Sequence, residues 1–105
     1  MGERTANVQD GNIGQTLESL AGTIHGRREA SPEVSYTAKL LTEPEDELLK
    51  KIAEEASEVI MACKDDDHDH IRYEAGDLAY HMLVVMERYG VSLDELAGEL
   101  NARMK

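Results

Sequence analysis

An all-α domain is the fold class this sequence predicts, and three observations carry the prediction. From residue 13 onward, apolar side chains recur three and four positions apart rather than alternately, which is the period of a helix and not of a strand. The chain has no Phe or Trp and only four Tyr, so its core must come from Leu, Ile, Val, Met and Ala, a set suited to helix packing. The breaks between periodic stretches hold helix start and stop residues, with no credible strand between them. At 105 residues a single domain with one modest core is expected. A core that small, with an apolar helix face left over, invites dimerisation. The expectation is therefore a bundle of four to five helices, completed by a second copy.

Each element has its own signal. Residues 1–12 are polar and read as a disordered lead, with a single domain over 13–105. Ile13, Leu17, Leu20, Ala21 and Ile24 mark a first helix that frays into His25-Gly26-Arg27-Arg28-Glu29. Ser31-Pro32 reads as an N-cap followed by a first-turn proline, starting a short segment that carries Ser35, Tyr36 and Thr37. Glu43-Pro44-Glu45-Asp46-Glu47 starts the next helix, with acids at the positive end of its dipole. That helix runs to about Lys64, and its apolar face is Leu49, Ile52, Ala53, Ala56, Val59, Ile60 and Cys63. Cys63 on that face reads as a buried structural thiol. The acidic stretch over residues 65–70 lacks the glycine and distal glutamate of a calcium loop, and reads as a solvated connector that caps the next helix. A long helix from about Asp69 to Tyr89 stops at Gly90. Ser92 with Glu95 then forms a capping box for a last helix, with Leu93, Leu96, Ala97 and Leu100 facing inward.

Five acids sit oddly in this scheme. Glu54, Glu55 and Glu58 form a stripe with Lys51, separate from the solvated side of their helix. Glu74 and Asp77, one turn apart, lead into residues 78–86, whose only polar side chains are Tyr80 and His81. A helix apolar nearly all round is a buried one. Carboxylates drawn into it lose water and repel one another, at roughly several kcal/mol per ion unless partnered. Two antiparallel helices joined by a short loop would bring the clusters together. A hard divalent cation held by oxygen ligands, Mg²⁺ above all, is the partner that fits; the plain alternative is a solvated, merely charged helix face.

Such a site suits phosphoryl or nucleotidyl chemistry, with water as nucleophile and a spare carboxylate as general base. No Ser or Cys triad, Gly-rich phosphate loop or Rossmann fingerprint is present. The net charge of −11 argues against nucleic-acid binding, which needs a basic footprint. It leaves room for a polyphosphate bridged to the acids by metal ions. One cysteine allows no disulfide framework within the chain. No apolar run approaches the ~18 residues of a membrane span, so a soluble, cytoplasmic protein is expected.

The pattern Glu-Glu-x-x-Glu followed by Glu-x-x-Asp on the next helix resembles the MazG-type all-α nucleoside triphosphate pyrophosphatases. Longer strings resemble one family within them. These are Ser35-Tyr36-Thr37-Ala38-Lys39-Leu40-Leu41, Lys51-Ile52-Ala53-Glu54-Glu55-Ala56-Ser57-Glu58 and Tyr73-Glu74-Ala75-Gly76-Asp77-Leu78-Ala79-Tyr80-His81. Together with Gly90-Val91-Ser92-Leu93-Asp94-Glu95-Leu96 and Leu100-Asn101-Ala102-Arg103, they resemble the phosphoribosyl-ATP pyrophosphatases. The resemblance implies a MazG-like bundle and a homodimer or higher homo-oligomer. It also implies Mg²⁺-dependent hydrolysis of phosphoribosyl-ATP to phosphoribosyl-AMP and pyrophosphate, the second step of histidine biosynthesis. Glu54, Glu55, Glu58, Glu74 and Asp77 match the metal-binding acids, with Glu55 or Glu58 as the residue that activates water.

Further substrate contacts are expected at Lys51, Arg27, Arg28, Ser35, Thr37 and His81, each with a plainer reading. Lys51 either meets a substrate phosphate or pairs with Glu54 or Glu55. Arg27 and Arg28 bind the phosphoribosyl phosphate or simply face water. Ser35 and Thr37 donate to phosphate or cap a turn; His81 orients a carboxylate or a Tyr hydroxyl, or is a hydrogen-bonded core histidine. Tyr73 and Tyr80 read as packing residues. Thr42-Glu43-Pro44-Glu45 stands where relatives often carry a glycine, which leaves the local loop path open. Two other readings stay compatible with the residues: a pyrophosphatase of ordinary or damaged nucleoside triphosphates, and a non-catalytic acidic interaction module.

Overall fold

The computed structural model describes residues 7–104. Among the described residues five α-helices, α1 (Ile13–Gly26), α2 (Tyr36–Thr42), α3 (Glu45–Lys64), α4 (His68–Tyr89) and α5 (Leu93–Asn101), succeed one another, with a 3₁₀ turn at Arg27–Glu29 after α1. No strand occurs among the described residues, so the fold is all-α. The expected lead over 1–12 falls partly on residues 1–6, outside the described residues. Residues 7–12 carry no helix, and Asn12 caps α1 by accepting a hydrogen bond from the Gln15 N–H at 3.0 Å.

The start and stop chemistry is local. Asp67 caps α4 through the His70 N–H at 3.1 Å. Ser92 and Glu95 close a reciprocal capping box, with Glu95 N–H to Ser92 Oγ at 3.1 Å and Ser92 N–H to Glu95 Oε2 at 2.7 Å. Gly90 ends α4 in the left-handed region at φ +75°, where a Cβ would be strained. The α3–α4 connector turns through Asp66 at φ 54°, a conformation that Asp tolerates better than most residues. The Ser31-Pro32 start signal yields only one turn: the Ser31 carbonyl accepts from Val34 and Ser35, and the helix begins later, at Tyr36. Ser35 is the true cap of α2, accepting from the Ala38 N–H at 3.1 Å. The serine that lies immediately before unbroken helical backbone wins, since only there do the orphan N–H groups line up to be met.

α3 and α4 form an antiparallel hairpin with the most extensive packing in the molecule, and α1 and α2 lie against it. Ile24, Leu40, Leu41, Leu48, Leu83, Val84 and Met86 make the buried core, with Leu17, Leu20, Tyr80, Val85, Leu93 and Leu96 packed around it. Distant parts of the chain are tied together by α4. Arg88 donates to the Leu40 carbonyl at 2.7 Å, and the Tyr89 hydroxyl donates to Glu45 Oε2 at 2.5 Å.

The apolar face expected for α3 is divided. Leu48, Glu55 and Ala62 are buried against the rest of the chain, with Ile52, Ala56 and Val59 beside them. Leu49, Ile60 and Cys63 do not share that burial: Leu49 is 39% exposed and Ile60 58%. Cys63 is thus not the buried thiol the pattern suggested; its neighbour Ala62 occupies the inner position. The apolar arc of α3 is wider than the one contact that α4 makes with it.

Leu48→Ala, at a site with no solvent exposure, should lower unfolding free energy by about 2–5 kcal/mol. Gly90→Ala should cost about 1 kcal/mol through its positive φ. Urea denaturation followed by circular dichroism would check both.

Candidate active site

Helix period and the three-residue turn together set the site. Glu58 and Glu74 lie at nearly equal chain distances either side of the 65–67 connector, as do Glu55 and Asp77 further out. Closing the hairpin therefore brings the pairs face to face. Two groups of ligand atoms result, each with its members within 4.8 Å of one another: Glu55, Glu74 and Asp77, and Glu58, His70 and Glu74. Glu74 belongs to both.

Burial makes these acids costly as they stand. Glu55 and Glu74 are only 7% and 6% exposed. Each has one internal partner: Lys51 Nζ lies 3.3 Å from Glu55 Oε1, and His70 Nε2 lies 2.9 Å from Glu74 Oε2. Loss of water, then the charges of Glu55 and Glu74, push the Asp77 carboxyl above the usual range, against opposing pulls from His81 and Lys51. Burial alone would lower the Lys51 ammonium, but its contacts with Glu55, Tyr36 and Glu54 outweigh that and hold it above its ordinary value.

The donor set fits a hard divalent cation. Two ligands on opposite sides of a Mg²⁺ sit about 4.2 Å apart, because each lies about 2.1 Å from the ion. Closing the all-oxygen group onto such an ion takes only small side-chain shifts, and would neutralise the charge that desolvation penalises.

Beside the acids stands a fixed aromatic group. His81 is 4% exposed; its Nδ1 donates to the Asp77 carbonyl at 2.8 Å, so in the neutral ring Nε2 accepts from the Tyr36 hydroxyl at 3.1 Å. His81 is thus both a hydrogen-bonded core histidine and the group that holds a Tyr hydroxyl. Burial, partly opposed by Lys51 and reinforced by Tyr80, Glu55 and Asp77, raises the Tyr36 hydroxyl above its ordinary pKa. Tyr36 and Tyr80 stack with ring centroids 6.4 Å apart, and the Tyr80 hydroxyl shares a hydrogen bond with Thr37 Oγ1.

The remaining expected residues divide. Glu54 is exposed and lies outside both ligand groups, 3.4 Å from Lys51. Lys51 lines a cavity of about 320 Å³ with Tyr36, Lys39, Lys50 and Glu54, among others. Arg27, Ser35, Tyr36 and Thr37 line a neighbouring one. Arg28 is elsewhere: its Nε is hydrogen-bonded to Glu87 Oε2, and its Nη2 donates to the Glu87 carbonyl at 2.5 Å. Two residues of the site escape the sequence. His70 reads there as part of the connector, although the helix expected from about Asp69 already places it four residues before Glu74 on the same face. Tyr36 stands out in sequence only as part of a string; nothing local reveals that His81 holds its hydroxyl.

Burial would raise Glu87, but hydrogen bonds from Arg28 and His25 bring its carboxyl below the ordinary range. A carboxylate with a lowered folded-state pKa contributes stability above its unfolded value, and the contribution is lost as pH falls through the folded value. Glu87→Gln should therefore cost on the order of 1 kcal/mol at neutral pH and progressively less in acid. Thermal melts of both proteins across that range would test this.

A model of the family described as phosphoribosyl-ATP pyrophosphohydrolase matches residues 17–104. The chain is 49% identical over 87 residues to a phosphoribosyl-ATP pyrophosphatase of Nitrosomonas eutropha, covering 83% of this chain and 74% of that one. A Dechloromonas aromatica protein of the same name is 46% identical over 87 residues, 83% of this chain and 81% of its own. One from Rhizobium rhizogenes is 42% identical over 90 residues, covering 86% of each. With nearly its whole helical part matched, the chain belongs to the phosphoribosyl-ATP pyrophosphohydrolase family.

Proposed function

We propose that this protein hydrolyses phosphoribosyl-ATP between its α and β phosphates, releasing phosphoribosyl-AMP and pyrophosphate, as the second step of histidine biosynthesis. The observation that carries the reading is the convergence of Glu55, Glu58, Glu74 and Asp77 at the hairpin interface, in a chain of that family. Mg²⁺ held by these acids would supply charge neutralisation for the phosphates and the leaving pyrophosphate.

The chain's own groups have distinct parts in this scheme. Glu58 is exposed and has no ion pair among the described residues, so it is free to take the proton of the attacking water; Glu55, held by Lys51, is the second candidate. The Lys51 ammonium, at the edge of the acids and lining an open cavity, is placed to meet a substrate phosphate. Tyr36 presents a ring whose hydroxyl is anchored by His81, and the Arg27 side chain has no partner among the described residues and lines the adjoining cavity. Ser35 and Thr37 act by shaping that corner, one as a helix cap and one through Tyr80.

The same reading includes a homodimer in the cytoplasm. Leu49, Ala53 and Ile60 on α3 and Ala79 and Met82 on α4 are exposed, an outward apolar surface on the hairpin that a second copy would cover. No helix among the described residues is long and apolar enough to cross a membrane.

Pyrophosphate release from phosphoribosyl-ATP, with and without Mg²⁺ and beside a panel of dNTPs, tests the proposal. Release should require Mg²⁺ and be confined to phosphoribosyl-ATP, and Glu58→Gln should reduce kcat by about 10²-fold or more. Turnover of dNTPs instead would replace the substrate, and no release by folded protein would discard the enzymatic reading.

A further inference from the structure

Two rows of side chains meet at the corner between α2 and α3. Tyr36 and Lys39 lie three residues apart on α2, and Glu47, Lys50, Lys51 and Glu54 recur at helical spacing on α3. All six line one cavity of about 320 Å³. The chain carries 22 acids against 11 Lys and Arg, so three ammoniums round one cavity reverse the sign that prevails in the chain. Lys51 also joins this cavity to the acidic cluster, since its Nζ lies 3.3 Å from Glu55 Oε1. Phosphoribosyl-ATP has two anionic ends, a triphosphate on one ribose and a lone phosphate on the other. Metal ions held by the acids would neutralise the first, whereas the second has only the chain's own cations to meet it. We infer, on the substrate reading proposed above, that Lys39 and Lys50 hold the lone phosphate of the second ribose, the group that an ordinary nucleoside triphosphate lacks, in the cavity between α2 and α3.

The lining suits a phosphorylated sugar better than a bare anion. Lys39 is exposed and has no ion pair among the described residues. Lys50 Nζ lies 3.2 Å from Glu47 Oε2, with both side chains more than half exposed. Such a pair is worth little in water, so a phosphate dianion can take the ammonium from it. A lysine carries three N–H donors on a flexible stem, and one from each helix can reach a single phosphate from two sides. Glu47 and Glu54 can only accept hydrogen bonds, and the hydroxyls of a ribose are donors that match them. Tyr36, 52% exposed with its hydroxyl fixed by His81 at 3.1 Å, gives the cavity a rigid aromatic wall. The other cavity that Tyr36 lines offers a single cation, Arg27, and no carboxylate for a sugar hydroxyl.

Two measurements test this. In the first, ribose 5-phosphate is titrated into the ¹⁵N-labelled full chain with EDTA present, and amide shifts are followed by NMR. The amides of Lys39 and Lys50 should shift saturably, and ribose without phosphate should move neither. Lys39→Gln together with Lys50→Gln should weaken binding at least about tenfold, and Arg at both positions should restore it to within about threefold. Saturable shifts at Arg27 and Ser35 instead, or none at all, would overturn the inference. In the second, pyrophosphate release from phosphoribosyl-ATP is measured for wild type and the double Gln variant. KM should rise at least about tenfold with kcat changed less than about threefold, and the Ki of ATP as a competing inhibitor should stay within about twofold. Equal losses for phosphoribosyl-ATP and ATP would place the lysines against the triphosphate and overturn the inference, as would an unchanged KM, and the proposed function would survive either result. If wild type releases no pyrophosphate, the proposed function falls and with it this substrate, whereas lysine-dependent binding of ribose 5-phosphate would still place a sugar phosphate in the cavity.

Discussion

Burying carboxylates between α3 and α4 is the constraint on which the rest of this structure depends. Glu55 and Glu74 occupy positions on the hairpin where Leu or Val would otherwise pack, and each loses most of its hydration there. The hairpin bears this because Lys51 and His70 meet them at the two ends of the cluster, and because the apolar run after Asp77 anchors α4 in the core. Leu83, Val84 and Met86 are buried there, and they hold the helix in a register that cannot slip without unpacking them. The acids are therefore held close by hydrophobic burial further along the same helix, not by attraction for one another.

Much of this was legible because helical periodicity is a one-dimensional property. The spacing of Glu55 to Glu58 and of Glu74 to Asp77, with a short connector between, suffices to predict that the clusters meet. Helix ends marked by Ser92-x-x-Glu95 and Gly90 were equally readable, since each acts through bonds within a few residues. What escaped was whatever depends on a distant side chain. Arg27 and Arg28 are indistinguishable in sequence, yet Glu87, far along the chain, takes one and leaves the other. The inner and outer parts of the α3 apolar arc are also alike in composition. Only docking against α4 assigns Ala62 inside and Cys63 outside.

His70 illustrates a third kind of failure, in which two overlapping readings hide chemistry, since the connector over 65–70 and a helix from about Asp69 both claim it. Read as part of an aspartate-rich connector, it is one of several polar loop side chains. Placed in the first turn of α4, it acquires a facing partner at Glu74 and a fixed backbone. The stretch of acids and histidines before it obscured the helix start, because Asp65, Asp66 and Asp67 are all acceptable caps by residue type, and φ at Asp66 decides between them.

The corner between α2 and α3 is held from outside as well as by the helices it joins, where Glu43 N–H meets the Lys39 carbonyl and Glu47 N–H the Pro44 carbonyl. Arg88 holds the Leu40 carbonyl on one side and Tyr89 holds Glu45 on the other, so the path of residues 42–44 is pinned at both ends by α4. A turn fixed in this way makes few demands on its own residues. None of residues 42–44 takes a positive φ, so the path there needs no glycine. The last turn of α4 thus acts as a clamp across the joint, setting where α3 begins relative to the end of α2.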